Sequence, residues 1–179
     1  MGKLFGIAQA TKGGLGFASK QLPGGVCVQA VAVVNAFGDV VDPHTGKVIA
    51  GARLSPASVQ FAGTAERMYA GHVGPGFGAT HTTLVVVMTS AQLDKLQATK
   101  VAQMAHDGLA RAINPVHTQW DGDLVFALSV GKKRAEISSL GTAAAEVTAD
   151  AIVRAVETAQ GLGGVPSCQE LRGWEDKTG

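Results

Sequence analysis

The stretch Thr82-Thr83-Leu84-Val85-Val86-Val87-Met88-Thr89 is the clearest secondary-structure signal in this 179-residue chain. It is apolar and rich in β-branched side chains, which is typical of a strand buried in a sheet. It follows a predicted loop from Tyr69 to Thr80, where glycines and a proline interrupt any regular pattern. The stretch therefore predicts a rigid strand that begins at Thr82, immediately after a glycine-rich connection.

Further strands and two long helices are predicted on both sides of this strand. Val26 to Ala36 and Leu124 to Val130 are dense in apolar residues and predict buried strands. Apolar residues recur at helical spacing from Ser90, a favourable N-cap, to Ile113, and again from Ile137 to Ala159. This alternation predicts an α/β layered fold, with residues 1–179 forming a single domain.

Three other segments are interpreted from their turn chemistry and polarity. Thr11 to Gly25 is rich in glycine and is interpreted as a loop. Val40-Val41 precedes a strong turn signal at Asp42 to Gly46, which predicts a hairpin-like pair of strands. The polar tail after Ser167 is predicted to be loosely held.

Composition limits the partners and the location. The formal net charge is +1, which argues against nucleic acid, and the apolar runs are far shorter than the ~18 residues of a membrane span. The first residues, Met1 to Gly6, lack the apolar segment of a secretory signal. Cys27 and Cys168 form no disulfide framework. A cytoplasmic protein that binds neither nucleic acid nor membrane is expected.

Two motif-like features are weighed and set aside. Gly74 to Ala79 fits a dinucleotide-binding spacing, but it precedes a strand instead of following one and contains Pro75. His106, Asp107, His117, Asp121 and Asp123 lie within 18 residues and suggest a metal site. They lack a recognised ligand spacing, so structural histidines are favoured. No metal and no cofactor are predicted.

The sequence Asp121-Gly122-Asp123 has two interpretations. Asp-Gly is common in tight turns before strands. Alternatively, two carboxylates on either side of a glycine at a strand entrance orient a nucleophile or an amine. The residues alone leave both interpretations open.

Thr82 acquires a special role if the chain is cut before it. Its hydroxyl would then stand beside a free α-amine, whose reference pKa of about 7.7–8.0 suits a base near neutral pH. A flexible loop that runs into a rigid strand suits such a buried chain end. The pattern favours an N-terminal nucleophile at Thr82.

Several ordered blocks resemble the DmpA-type L-aminopeptidase/D-esterase family, whose relatives include β-aminopeptidases and nylon-oligomer hydrolases. These blocks are Lys12 to Ser19, Val33 to Pro43, Thr82 to Thr89, Ala102 to Ile113, Pro115 to Thr118 and Asp121 to Ala127. They cover nearly the whole chain in order. The resemblance implies an αββα sandwich and a precursor that cuts itself before a Ser or Thr.

The resemblance also implies roles for individual residues. Thr82 matches the nucleophile, so cleavage is expected between His81 and Thr82 and gives fragments 1–81 and 82–179. Asn35 matches the amide that stabilises the oxyanion, and Asp121 and Asp123 match the polar pair behind the nucleophile. A further match is Lys3, which falls where the nylon-hydrolase branch has a lysine near the site. The expected substrates are small peptides or amino-acid amides, and a homo-oligomer of paired fragments is expected.

Alternative functions remain open at this point. Relatives carry a longer segment before Lys3, and a small residue or Asn where this chain has His81. An inactive structural or assembly subunit that lacks this N-terminal segment, with apolar faces covered by a partner, is therefore the main alternative. A metal-dependent hydrolase is a third interpretation with little support in the sequence.

Overall fold

The computed structural model describes residues 1–72 and 81–178. Among these residues the strands are β1 (Leu15–Leu22), β2 (Val26–Asn35), β3 (Asp39–Val41), β4 (Val48–Ala50), β5 (Thr82–Ala91), β6 (Ile113–Asn114) and β7 (Leu124–Lys133). The α-helices are α1 (Thr64–Tyr69), α2 (Lys95–Ala112), α3 (Ile137–Glu157) and α4 (Cys168–Thr178). None of the described helices is long and apolar enough to cross a membrane.

The larger sheet has the order β1-β2-β5-β7. Strand β2 is antiparallel to both of its neighbours, β1 and β5, whereas β5 and β7 are parallel. Three strands predicted from apolar runs, now β2, β5 and β7, are confirmed. They lie side by side, with the stretch that begins at Thr82 in the interior of the sheet.

Helices α2 and α3 pack against each other and cover one face of this sheet. Small residues permit the close approach. A Cβ on Gly16 would stand 1.9 Å from the carbonyl oxygen of Ala151, and one on Gly108 would stand 2.3 Å from that of Ala145. The core between helices and sheet is apolar, which confirms a layered α/β arrangement.

The opposite face of the sheet is apolar but exposed. Leu15, Val33, Leu84 and Leu124 lie in register across the four strands and are 41–62% exposed. The same face carries two exposed phenylalanines, Phe17 and Phe126 on β1 and β7, and Leu128. Contiguous apolar patches of this kind on a soluble protein usually mark an interaction surface.

A second, smaller sheet has the order β4-β3-β6. Its β3–β4 pair confirms the predicted hairpin. Asp39 in β3 is buried and accepts hydrogen bonds from the backbone N–H of Ala52 and from both the N–H and the hydroxyl of Thr64. Burial raises the pKa of this carboxyl. Asp39 thereby ties the small sheet to the start of α1.

Two predictions about local structure are wrong. The predicted loop Thr11 to Gly25 contains β1, in which glycine provides close packing against α3. Ser90 does not cap a helix, because it remains in β5 and its hydroxyl accepts the N–H of Cys27. Helix α2 instead begins after Asp94, which forms a capping box with Gln97.

The tail after Ser167 is also more ordered than predicted. It forms α4, in which Cys168 and Leu171 are almost fully buried. Tyr69, predicted as the start of a loop, is the last residue of α1. The motif Gly74 to Ala79 lies outside the described residues.

Candidate active site

Thr82 and Asn35 meet where two neighbouring strands end. Thr82 is the first residue of β5 and lies directly opposite Asn35, the last residue of β2. Side chains alternate along a strand, and the next residue, Thr83, is fully buried on the helix side. Thr82 and Asn35 therefore face the exposed apolar side of the sheet.

Lys3 joins this pair from the beginning of the chain. Its backbone N–H donates to the carbonyl of Phe37, which fixes its position. Its Nζ donates to the backbone oxygen of Asn35 at 3.0 Å and to Oδ1 of the same residue at 2.5 Å. An ammonium group only donates, so Oδ1 faces Lys3 and the Nδ2 hydrogens are the donors that the Asn35 side chain has for another group.

The surroundings of Lys3 make the protonated form of its side chain less stable. Burial lowers the pKa of its ammonium group to about 8, and the nearby carboxylate of Asp121 opposes this shift. A substantial neutral fraction of Lys3 therefore exists at slightly alkaline pH. Such an amine can accept a proton.

Asp121 organises the loop beside the strand head. Its carboxylate accepts the hydroxyl of Thr118 at 2.7 Å, the N–H of Thr118 at 3.1 Å and the N–H of Phe37 at 3.2 Å. These bonds link the loop before β7 to the segment that holds Lys3. Asp121 thus acts on Lys3 through its charge, and it also holds the backbone of Phe37, to which the backbone of Lys3 is hydrogen-bonded.

Asp123 occupies the opposite side of the sheet from Asn35. Its side chain is only 2% exposed, and Oδ1 accepts the backbone N–H of Thr83 at 2.8 Å. Its other oxygen, Oδ2, lies 3.0 Å from Nδ1 of His117. Asp123 therefore anchors the backbone immediately after Thr82.

The carbonyl that precedes Thr82 is held by a backbone amide. The N–H of Gly122 donates to the carbonyl oxygen of His81 at 2.8 Å. A Cβ on Gly122 would stand 3.1 Å from Oγ1 of Thr82, so an alanine at this position would press against that hydroxyl. The Asp-Gly-Asp pattern carries no signal for this contact, because the contact depends on how the loop pairs with the start of β5.

His81 is buried beneath the strand head. Its ring packs against Phe37 with the ring centroids 5.5 Å apart. Burial, reinforced by the charge of Lys3, lowers the pKa of the imidazole, which favours the neutral form. The bulk of His81 is accommodated in the core of the protein.

A cleft of about 400 Å³ borders the site. Lys3 and Asn35 lie in its wall, together with the apolar side chains of Ile7, Val33 and Leu162. A cleft of this size and character suits a small, partly aliphatic molecule.

The suspected metal ligands take a different arrangement. His106 and His117 approach each other through ring nitrogens, and His117 also contacts Asp123. Across residues 1–72 and 81–178 no group of three His, Cys, Asp or Glu side chains is placed to hold a metal ion. In the same ranges Cys27 and Cys168 are free thiols.

Solved structures similar to this chain define its class. A β-aminopeptidase from Burkholderia sp. is 25% identical with a TM-score of 0.56, and the match covers 97% of this chain and 51% of that protein. The L-aminopeptidase D-Ala-esterase/amidase of Ochrobactrum anthropi is 16% identical with a TM-score of 0.59, covering 94% and 49%. The latter is described as a variant of the Ntn hydrolase fold, and the present chain shares this fold.

The family follows from the sequence comparison. Residues 6–168 match the model of peptidase family S58, and the chain belongs to this family. This confirms the resemblance to DmpA-type aminopeptidases.

Two curated relatives illustrate the range of the family. An uncharacterized aminopeptidase of Mycobacterium tuberculosis is 36% identical over 185 residues, which is 92% of this chain and 53% of the relative. A 6-aminohexanoate-oligomer endohydrolase of Paenarthrobacter ureafaciens is 30% identical over 157 residues, covering 79% and 44%. The chain thus spans about half the length of these relatives.

Proposed function

We propose that this chain is a self-processing N-terminal-nucleophile hydrolase that cleaves amide bonds of small peptides or amino-acid amides. Thr82 is the nucleophile, and processing occurs between His81 and Thr82. The proposal depends on the arrangement of residues at the start of β5. There the hydroxyl-bearing Thr82 lies opposite Asn35, and Gly122 donates to the carbonyl that processing would attack.

Self-processing begins with an acyl shift within the chain. Oγ of Thr82 attacks the carbonyl carbon of His81, and the N–H of Gly122 stabilises the oxyanion that forms. Collapse of this intermediate breaks the C–N bond and leaves an ester of the threonine hydroxyl with a free α-amine. Water then hydrolyses the ester and releases the carboxylate of His81.

The uncut chain needs a base other than the α-amine of Thr82, which does not yet exist. Lys3 fits this role because burial lowers its pKa to about 8 and it is hydrogen-bonded to Asn35, the residue opposite Thr82. In its neutral form it takes the proton of the Thr82 hydroxyl, and its protonated form then gives a proton to the leaving nitrogen of Thr82 as the C–N bond breaks.

Turnover uses the new α-amine as the base. The amine takes the proton of Oγ, which attacks the substrate carbonyl, while Nδ2 of Asn35 donates to the oxyanion. The proton then passes to the leaving amine, and water hydrolyses the acyl-enzyme. Asp123 and Asp121 hold the strand and the loop in place from either side.

The proposed substrates follow from the cleft and from the relatives. The cleft beside Asn35 is small and largely aliphatic. Relatives are named as aminopeptidases and as an endohydrolase of 6-aminohexanoate oligomers. These names support an enzyme and do not favour an inactive subunit. A homo-oligomer of paired fragments and a cytoplasmic location remain predictions.

Intact-mass measurement tests the proposal. The purified wild-type chain is expected to give fragments of 81 and 98 residues and to release p-nitroaniline from amino-acid p-nitroanilides. Thr82→Ala is expected to stay whole and to lose turnover. Thr83→Val is the matched control, because it changes the neighbouring threonine without removing the proposed nucleophile. A chain that stays whole and hydrolyses these amides, or one that does neither, contradicts the proposal.

A further inference from the structure

Two histidines form a chain of hydrogen-bonding groups behind Asp123. His106 lies in the C-terminal half of α2, and His117 lies in the connection to β7. Nδ1 of His106 is 3.2 Å from Nε2 of His117, and Nδ1 of His117 is 3.0 Å from Oδ2 of Asp123. The other oxygen of Asp123 accepts the N–H of Thr83. A continuous path therefore leads from α2 to the amide that follows Thr82.

The backbone of His117 is fixed in an uncommon conformation. Its φ is +52°, the one positive value among the described non-glycine residues. Such conformations cost free energy and persist where the surrounding structure imposes them. At this position the two ring nitrogens of His117 contact two different partners.

The proton positions follow from the partners. A carboxylate only accepts, so Nδ1 of His117 carries the hydrogen given to Asp123. In a neutral imidazole Nε2 is then an acceptor, and His106 must donate to it from Nδ1. With both imidazoles neutral, each ring therefore carries its hydrogen on Nδ1.

We propose that His117 and His106 are positioning residues for the reaction, because they fix the orientation of Asp123 and thereby the start of β5 at Thr82. His117 donates to the carboxylate, and His106 holds His117 in the required tautomer. Neither histidine touches the reacting atoms. This role rests on the function proposed above.

Burial and the neighbouring carboxylates act on the pKa of His106 in opposite directions. The carboxylates of Asp107, on the same helix, and of Asp123, in the connection before β7, both raise the pKa of His106. Burial and the proximity of His117 lower the pKa of His106. The neutral form required for the hydrogen-bonded chain is therefore favoured at neutral pH.

Because φ of His117 is positive, two substitutions that tolerate this conformation can be compared. Gly and Asn both tolerate this conformation, so neither introduces backbone strain. Asn retains a donor at the position of Nδ1, whereas Gly removes it. His117→Gly is expected to slow processing and kcat by about 10- to 100-fold, the effect of losing a hydrogen bond to a charged group, with KM nearly unchanged. His117→Asn is expected to restore most of both rates.

Variants of His106 and of a remote histidine, His44, test the second half of the proposal. His106→Phe keeps an aromatic ring but removes the hydrogen-bond donor, so it is expected to slow processing and kcat. His106→Asn retains a donor at the position of Nδ1 and is expected to keep both rates close to those of the wild type. His44→Phe changes an exposed turn residue and is expected to leave them unchanged. Equal rates for wild type and His117→Gly, or equally slow rates for His117→Gly and His117→Asn, would overturn the proposal.

A second measurement needs no activity. In a Thr82→Ala chain, nitrogen-15 NMR is expected to find both histidines with hydrogen on Nδ1, and His117→Gly is expected to speed amide exchange at Thr83. An Nε2–H tautomer of His117, unchanged exchange at Thr83, or ring signals that a chelator alters would each overturn the proposal. Failure of the proposed function appears separately, as a wild-type chain that neither cuts nor turns over.

Discussion

Thr82 at the head of β5 lies directly opposite Asn35 at the end of β2. The two strands are separated by nearly fifty residues of chain, yet their antiparallel pairing places the hydroxyl and the amide on the same face of the sheet. This relationship joins the proposed nucleophile to the proposed donor for the oxyanion.

Removal of the Asn35 side chain tests that relationship. Asn35→Ala is expected to lower kcat of the processed protein by about 100- to 1000-fold, because one donor to the developing oxyanion is lost. Gln29→Ala, on the same face of β2, is the control and is expected to retain activity. Steady-state kinetics with an amino-acid p-nitroanilide measure both. A similar loss in the two variants would argue against a specific role for Asn35.

The low pKa of Lys3 predicts a pH dependence of self-processing. Because only the neutral amine accepts the proton of Thr82, the rate is expected to rise with pH and to level off above about pH 8, where burial places this pKa. Lys3→Met is expected to slow processing by about 100-fold or more and to abolish this dependence. Time courses of intact mass across pH 6–10 provide the measurement.

A lysine far from the site serves as the control. Lys20 forms a surface ion pair with Glu146, and Lys20→Met is expected to process like the wild type. A rate that does not change between pH 6 and 10 in the wild type would exclude Lys3 as the base.

The space at Gly122 predicts a steric effect. Gly122→Ala introduces a methyl group 3.1 Å from Oγ1 of Thr82, which pushes the hydroxyl from its position near the His81 carbonyl. Processing is expected to slow by about tenfold or more, since small misplacements of reacting groups are costly. Gly173→Ala, whose methyl group meets nothing within 4 Å, is the control. Equal processing of both variants, followed by intact mass, would remove the steric argument.

Substitutions on the exposed apolar face of the larger sheet test whether the chain forms the predicted homo-oligomer. Self-association through this face would bury apolar surface, so a variant with Phe17→Asp and Phe126→Asp is expected to sediment as a smaller species than the wild type. Leu96→Asp changes a residue of α2 that is 80% exposed and serves as the control. A wild-type chain that sediments as a monomer would contradict the predicted homo-oligomer.

Local patterns were sufficient for some elements and misleading for others. The run from Thr82 and the periodicity of α3 reflect burial on a sheet or beneath one, which leaves a direct signal in composition. Strand β1 was not predicted because Gly16 indicates a loop when only its sequence neighbours are considered. In the structure Gly16 allows α3 to pack closely against the strand. Helix α2 was predicted several residues too early because Ser90 and Asp94 are both good caps.

The sequence by itself determined the family to which the chain belongs and predicts its class of chemistry. It identified a hydroxyl residue at the start of an apolar strand, an ordered set of family motifs and a chain long enough for a layered core. These features depend on neighbours in the sequence or on similarity to other chains, so they can be read without coordinates.

Only the tertiary structure decided how the groups meet. It placed the Nζ of Lys3 on Asn35, the amide of Gly122 on the carbonyl of His81, and Asp123 beneath the sheet with two histidines behind it. These contacts join residues that are distant in the chain or are related by strand register and loop conformation. Their geometry depends on how helices and strands pack, which no local pattern specifies.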